Sequence, residues 1–487
     1  MSTPGGSPPC SVRPLEWDNE PMRGNRELTA PACGMSVAGE PATRTSPVIE
    51  RRSFGRDVVH TTGTNLLIAA AGVCTGILVA RTLQPAGRGQ LAAILTLPTV
   101  LGLLTTLGIA EALVYFSARE PHRAGRYLAS GVAATLPASV VFMVVGWFLT
   151  PVLLAAQSDE VIAATRWYLV QIPVAAIMGL VDRPLRGVGD VRWWNRLRLL
   201  PTAVWLVVVV GAALGVGEPT PRGMAMAFVL GRAALIPVAL LVVRWRLRQH
   251  LHPEVGLVPP LVRFGLPSAL ATLPNTLNVR LDQLLIATAL RPGELGLYAV
   301  AVAWSLIPSP IVLAFGSVLF PRVAGTRDRQ ARTELATRGT RVGVLAAVVL
   351  SGITCLSAPV GVPLLFGTTY RHAVPTAMVL SVASAAIGAA RVEEEALRGL
   401  GRPFSVLWAQ LLGLAVTAGG LAVTIPDGSL AFIAAASVAG YTTLVIGLTA
   451  LLVRATGAPV HRVLLPRRGD LRVVVDSARR LLPIRRP

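Results

Sequence analysis

The chain has 487 residues, 53% of them hydrophobic and 14% charged, with a mean hydropathy of +0.61, so water is not its main solvent. Its net charge of +20 rests on arginine alone, since lysine is absent, and these arginines sit in alternate loops between apolar segments. That spacing follows membrane topology and excludes a nucleic-acid-binding reading, while Cys10, Cys33, Cys74, Cys355 and six scattered histidines lack metal-ligand or redox spacing, so no metal or cofactor is expected.

Residues 1–50 are rich in Pro, Gly, Ser and charge and hold no apolar core, which predicts a disordered cytoplasmic tail in which Met22 and Met35 are alternative starts. Apolar runs such as 200–217, 224–243, 345–363 and 411–425 approach the roughly 20 residues that cross a bilayer. Hydropathy predicts about twelve helices. Six, at 58–83, 90–117, 127–156, 160–181, 197–217 and 223–246, form an N-terminal lobe over 51–250. Six more, at 262–290, 295–320, 340–365, 374–397, 403–425 and 430–453, form a C-terminal lobe over 251–455, before a basic tail at 456–487. The arginine-rich loops and both tails fall on one side, which predicts an even helix count and cytoplasmic termini in the cell membrane.

An internal repeat organises these segments. Ala80, Leu83, Pro85, Gly89 and Ala92 recur in the same spacing as Ala287, Leu290, Pro292, Gly296 and Ala299. Leu185, Arg186, Gly187 and Gly189 recur as Leu397, Arg398, Gly399 and Gly401. The offsets, 207 and 212 residues from Ala80 to Ala287 and from Leu185 to Leu397, fit one duplication. With an even number of helices per half, the repeats are parallel. The expected fold class is therefore an all-α polytopic membrane protein of two parallel six-helix lobes around a central cavity.

Charges inside a bilayer cost several kcal/mol unless they pair or line water, so they are the best functional candidates. Arg232 falls near mid-membrane, Asn275 and Asn278 at intermediate depth, and Arg81 toward the outer face. The span 262–290 carries Pro267, Pro274, Asn275, Asn278, Arg280 and Asp282, and two prolines free backbone carbonyls that water or other helices must satisfy. Asn278 and Asp282 share a helix face, whereas Arg280 does not and needs a partner or substrate elsewhere. A purely structural salt bridge between helices is the other reading. Near 397, Arg391 pairs by spacing with Glu395 and Glu394 with Arg398, which leaves Glu393 as the carboxylate least neutralised locally. Glu393 and Asp282 are the ion-coupling candidates, though a helix end in cytoplasmic water would account for Glu393 equally. Arginine grips phosphate oxygens with a planar fork, so a cavity reached by Arg81, Arg232 and Arg280 suits an anion; the same arginines would also serve to neutralise buried carboxylates.

The stretch from Ala80 to Ala93, Leu107-Gly108-Ile109-Ala110 through Tyr115-Phe116, Leu281-Asp282 through Leu295-Gly296-Leu297-Tyr298-Ala299, and Leu397 to Arg402 together resemble the polysaccharide (O-antigen-type) flippase family of the multidrug/oligosaccharidyl-lipid/polysaccharide exporter group. The resemblance spans roughly residues 55 to 455. It implies two lobes with a V-shaped cavity, alternating access, and export of undecaprenyl-pyrophosphate-linked oligosaccharides for surface polysaccharide biosynthesis. It further implies cationic cavity residues, carried over here to Arg81 and the Arg280/Asp282 region, whereas Arg232 rests on depth alone. Membrane lipid, a lipid-linked oligosaccharide, and a polysaccharide polymerase or glycosyltransferases are the implied partners. A multidrug antiporter on the same fold should favour cavity carboxylates over arginines. A membrane enzyme such as an O-antigen ligase or polymerase needs a large external loop or paired carboxylates outside, and the predicted external loops are short and lack them.

Overall fold

In lipid every backbone donor and acceptor must be satisfied within its own segment, which leaves long apolar stretches one solution. A computed structural model describes residues 54–106, 108–216, 219–326, 328–424 and 429–465; most of the two tails expected from sequence lies outside them. The described residues are helical without a strand. The architecture is the expected all-α bundle of two lobes.

The first lobe opens with α1 (Phe54–Thr105) and α2 (Ile109–Arg119), followed by α3 (Ala124–Leu153), α4 (Asp159–Tyr168), α5 (Gln171–Val181), α6 (Arg183–Gly187), α7 (Val191–Ala213) and α8 (Pro221–Leu247). The second contains α9 (Val258–Ala289), α10 (Pro292–Ser305), α11 (Ser309–Gly325), α12 (Arg329–Phe366), α13 (Val374–Gly399), α14 (Pro403–Thr424), α15 (Leu430–Thr456) and the short α16 (Val460–Leu464). Nine helical stretches among the described residues are long and apolar enough to cross a membrane, and α10 with α11, bent by 46°, make a tenth. Helix α1 has 52 residues, or ~78 Å at 1.5 Å each, far more than one crossing requires. It breaks at Gln84 (φ 57°, ψ 175°), directly before Pro85, and so supplies two spans; α9, with 32 residues, supplies the remaining one of twelve.

The break has local causes. Proline disfavours helical geometry in the residue before it and can begin a new helix because its missing N–H is not needed there. Gln84 pays for a backbone conformation that side-chain-bearing residues rarely adopt, and its amide Nε2 offsets part of that by donating to the Arg81 carbonyl (2.9 Å). Elsewhere α1 ends at Thr105 and α2 begins at Ile109, and the spans are interrupted at 169–170 between α4 and α5 and at 306–308 between α10 and α11.

The second repeat pair forms the same helix terminus twice. Gly189 N–H donates to the Arg186 carbonyl and Asp190 N–H to that of Leu185; Gly401 N–H donates to Arg398 and Arg402 N–H to Leu397. Both glycines are left-handed, at φ +83° and +80°, as this helix stop requires. The duplication also preserves what each stop packs on. A Cβ at Gly187 would meet the Val114 carbonyl of α2 at 2.6 Å, and one at Gly399 would meet Val323 of α11, the counterpart of α2, at 2.8 Å.

Residues 248–257 join the lobes and are pinned to the first. Gln249 accepts from Gly125 N–H (2.7 Å) and donates to the Pro121 carbonyl (2.7 Å). Glu254 accepts from Arg123 (2.9 Å) and Arg126 (2.5 Å), while its N–H donates to the Ser130 hydroxyl (2.8 Å). The Arg126 and Arg123 hydrogen bonds hold the Glu254 carboxyl below the ordinary carboxylate range, and Tyr127 and Arg123 do the same for Glu120.

Candidate functional site

At the end of the bundle where α1 breaks, the two copies of the first repeat meet. A Cβ on Gly89 would overlap the Pro292 carbonyl, and one on Gly296 would overlap the Pro85 carbonyl. Each copy thus presses its glycine on the proline of the other, and only glycine permits backbones this close. Around this crossing Val79, Leu83, Leu91, Ile286, Leu290, Leu295 and Tyr298 belong to one buried cluster that spans both lobes.

Side chains tie the same end by satisfying carbonyls that a helix leaves unbonded in its last turn. Arg81 donates from Nε to the Leu365 carbonyl (2.7 Å) and from Nη2 to that of Leu364 (2.6 Å), at the end of α12. A cation is favoured there by the helix dipole as well. Gln157 Nε2 donates to the Ala287 (3.2 Å) and Leu290 (2.9 Å) carbonyls at the end of α9. From the other lobe, the buried Tyr370 hydroxyl donates to the Ala80 carbonyl (3.0 Å) and the Thr369 hydroxyl to Gln84 Oε1 (3.1 Å). These bonds between the lobes are ones that water can replace, each worth about 1 kcal/mol net.

The sequence-derived candidates occupy separate places. Arg81 belongs to the closure just described. Arg232, on α8, lies over the Phe228 ring (5.4 Å to its centroid) within the first lobe, and no carboxylate pairs with it among the described residues. Its Nε is buried without a hydrogen-bond partner. Asn275, Asn278, Arg280 and Asp282 lie on α9, which continues unbroken past Pro267 and Pro274, but their side chains fall outside the described residues.

Glu393 differs from the wet helix end allowed by sequence. It is 0% exposed and its neighbour Glu394 1% exposed, because α13 packs against both α12 and α15. Thr449 of α15 donates to Glu393 Oε1 (2.7 Å), and Oε2 is buried without a partner. Gln410 of α14 donates to Glu394 (2.8 Å). Arg391 reaches Glu394 (3.4 Å) rather than Glu395, one residue closer than the expected spacing, while Arg398 reaches both Glu394 (3.9 Å) and Glu395 (3.2 Å). Among the described residues no arginine pairs with Glu393.

Sequence reasoning found Gly89 and Gly296 as marks of duplication but not as the place where the lobes touch. Gln157, Tyr370, Thr449 and Gln410 carried no signal beyond being polar near apolar runs.

Residues 54–327, more than half of the chain, match the family described as polysaccharide biosynthesis protein. The chain belongs to that family. This family member is 26% identical over 394 residues to the succinoglycan biosynthesis transport protein ExoT of Rhizobium meliloti (strain 1021), covering 78% of this chain and 75% of that one. Its fold is similar to that of the lipid II flippase MurJ in an inward closed conformation (TM-score 0.64, 10% identity, 86% of this chain and 91% of the other). It is also similar to an inward-facing multidrug resistance MATE family transporter of the MOP superfamily (TM-score 0.58, 17% identity, 82% and 94%). The family member is a multi-pass membrane transporter of polysaccharide biosynthesis.

Proposed function

We propose that the protein flips a polyprenyl-pyrophosphate-linked oligosaccharide across the cell membrane by alternating access, without catalysis, for surface polysaccharide biosynthesis. The observation that carries this reading is the reciprocal Gly89/Pro292 and Gly296/Pro85 crossing, a close-packed contact between duplicated lobes flanked by replaceable bonds. An enzyme has no need of such a seam, whereas a carrier must close one end while the other is open. In this reading both termini are cytoplasmic and the seam is the external gate. Arg232, Asn275, Asn278 and Arg280 contact the phosphates and sugars, and Arg81 joins them when the gate releases its fork from α12. Glu393 and Asp282 carry the coupling proton or cation. The lipid tail stays in the bilayer while the polar head crosses, and the polymerase and glycosyltransferases of the same polymer act before and after it.

The test uses Gln84→Cys with Thr369→Cys in a chain whose own cysteines are replaced by serine. Their side chains touch across the closed seam, so a short thiol cross-linker should stop transport of a lipid-linked oligosaccharide in vesicles, and cleaving the linker should restore it. Full transport by the cross-linked protein overturns the proposal.

A further inference from the structure

The far end of α8, away from the seam, carries a second cationic site that the transport reading does not use. Leu241, Arg244, Trp245 and Arg248 recur at helical spacing on one face, and with Gln249 and His250 they line an open cavity of about 410 Å³. Leu241 and Trp245 are 63% and 64% exposed, so the floor of this cavity is exposed apolar surface at the end of a helix long enough to span a membrane. Tryptophan at the end of a spanning helix is typical of the boundary between hydrocarbon and headgroups.

The site is built rather than incidental. Trp245 is braced edge-on by Trp193 (5.9 Å between ring centroids) and covered by the Arg246 guanidinium (5.4 Å). Gln249 spends both ends of its amide on the turn before α3. Arg248 holds a left-handed backbone (φ 53°, ψ 38°) at the end of α8, a position where helices prefer glycine, and its strain persists because the flanking residues are fixed.

The carboxylates near this end are already engaged: Asp190 with Arg246 (2.6 Å), and Glu120 and Glu254 with Arg123. Arg244 and Arg248 therefore stand four residues apart with like charge and no acidic partner among the described residues. Such a pair repels unless an anion lies between them.

We propose that this cavity binds the phosphate of an anionic phospholipid, with Arg244 and Arg248 gripping the phosphate oxygens and the glycerol backbone and acyl chains lying on Leu241 and Trp245. The site requires only a membrane location, so a failed flippase assay leaves it standing.

Native mass spectrometry of the full chain in detergent, titrated with phosphatidylglycerol, phosphatidylcholine or inorganic phosphate, tests this. Phosphatidylglycerol should bind in preference to phosphatidylcholine, and Arg244→Ala with Arg248→Ala should weaken it roughly fivefold per arginine, about 25-fold together. Arg402→Ala with Arg454→Ala, which removes exposed charge outside the cavity, should keep the preference. Arg244→Gln with Arg248→Gln provides the same readout if the alanine pair fails to fold. Unchanged binding in the cavity variants, an equal loss in the Arg402 and Arg454 pair, or displacement of phosphatidylglycerol by equimolar inorganic phosphate each overturns the proposal.

Discussion

Single residues here owe their roles to what they meet across the chain. The Arg81 guanidinium is engaged by two helix-end carbonyls, so the substrate contact proposed for it requires these bonds to break first. Glu393 is the opposite case, a wholly buried carboxylate with one hydroxyl donor and no arginine partner among the described residues. Removing an unpaired charge from water costs several kcal/mol, which a proton or cation must offset. Glu393→Gln keeps the shape and an acceptor for Thr449 without the charge. The expected outcome is a folded protein whose transport no longer responds to an imposed proton or sodium gradient, measured in vesicles. An unaltered response would remove Glu393 from the coupling.

At the scale of elements, the segment between the lobes is not free. Gln249 and Glu254 anchor it to the turn before α3 and to α3 itself, so the lobe motion that the proposed alternating access requires falls after Glu254, where α9 begins at Val258 with Pro259 and Pro260 in its first turn. The pH dependence of this anchor follows from the depressed carboxyls of Glu254 and Glu120. A depressed group contributes its stability above the ordinary carboxylate range and loses it as pH falls through the lower folded value. Protection factors of residues 121–130 and 249–257, with the intrinsic pH dependence of exchange divided out, should therefore stay high at pH 5 and fall only below the ordinary carboxylate range. Glu254→Gln should make exchange there fast at pH 7. Protection that vanishes already at pH 5, or survives the substitution, would show that the ion pairs do not hold the segment.

For the whole molecule, the proposed alternating access makes the seam the element that sets the balance between closed and open states. A methyl group at Gly89 has no space in the closed state, where the obstacle is the Pro292 backbone rather than a flexible side chain. Overpacking of this kind costs about 1–3 kcal/mol, enough to move a two-state equilibrium five- to 150-fold. Gly89→Ala, and equally Gly296→Ala, should expose Tyr370 and its surroundings to water. A thiol reagent applied to Tyr370→Cys in the Gly89→Ala background should react at least about fivefold faster than in Tyr370→Cys alone. Equal rates would mean that the seam does not govern opening.

Membrane insertion, the twelve spans and the duplication were legible from the sequence alone because each depends on properties of contiguous residues. A bilayer demands uninterrupted apolar length, and Gly and Pro at turns recur in register after a duplication. Even the two glycine helix stops could be read this way, since their hydrogen bonds close within six residues. The partners could not. In a membrane helix the face toward lipid and the face toward protein are both apolar, so periodicity does not say which side is packed. Only the tertiary structure brought Arg81 to a carbonyl 284 residues away, buried Glu393 beside Thr449, and turned a repeated Pro-x-x-x-Gly from a mark of duplication into the contact that closes one end of the protein.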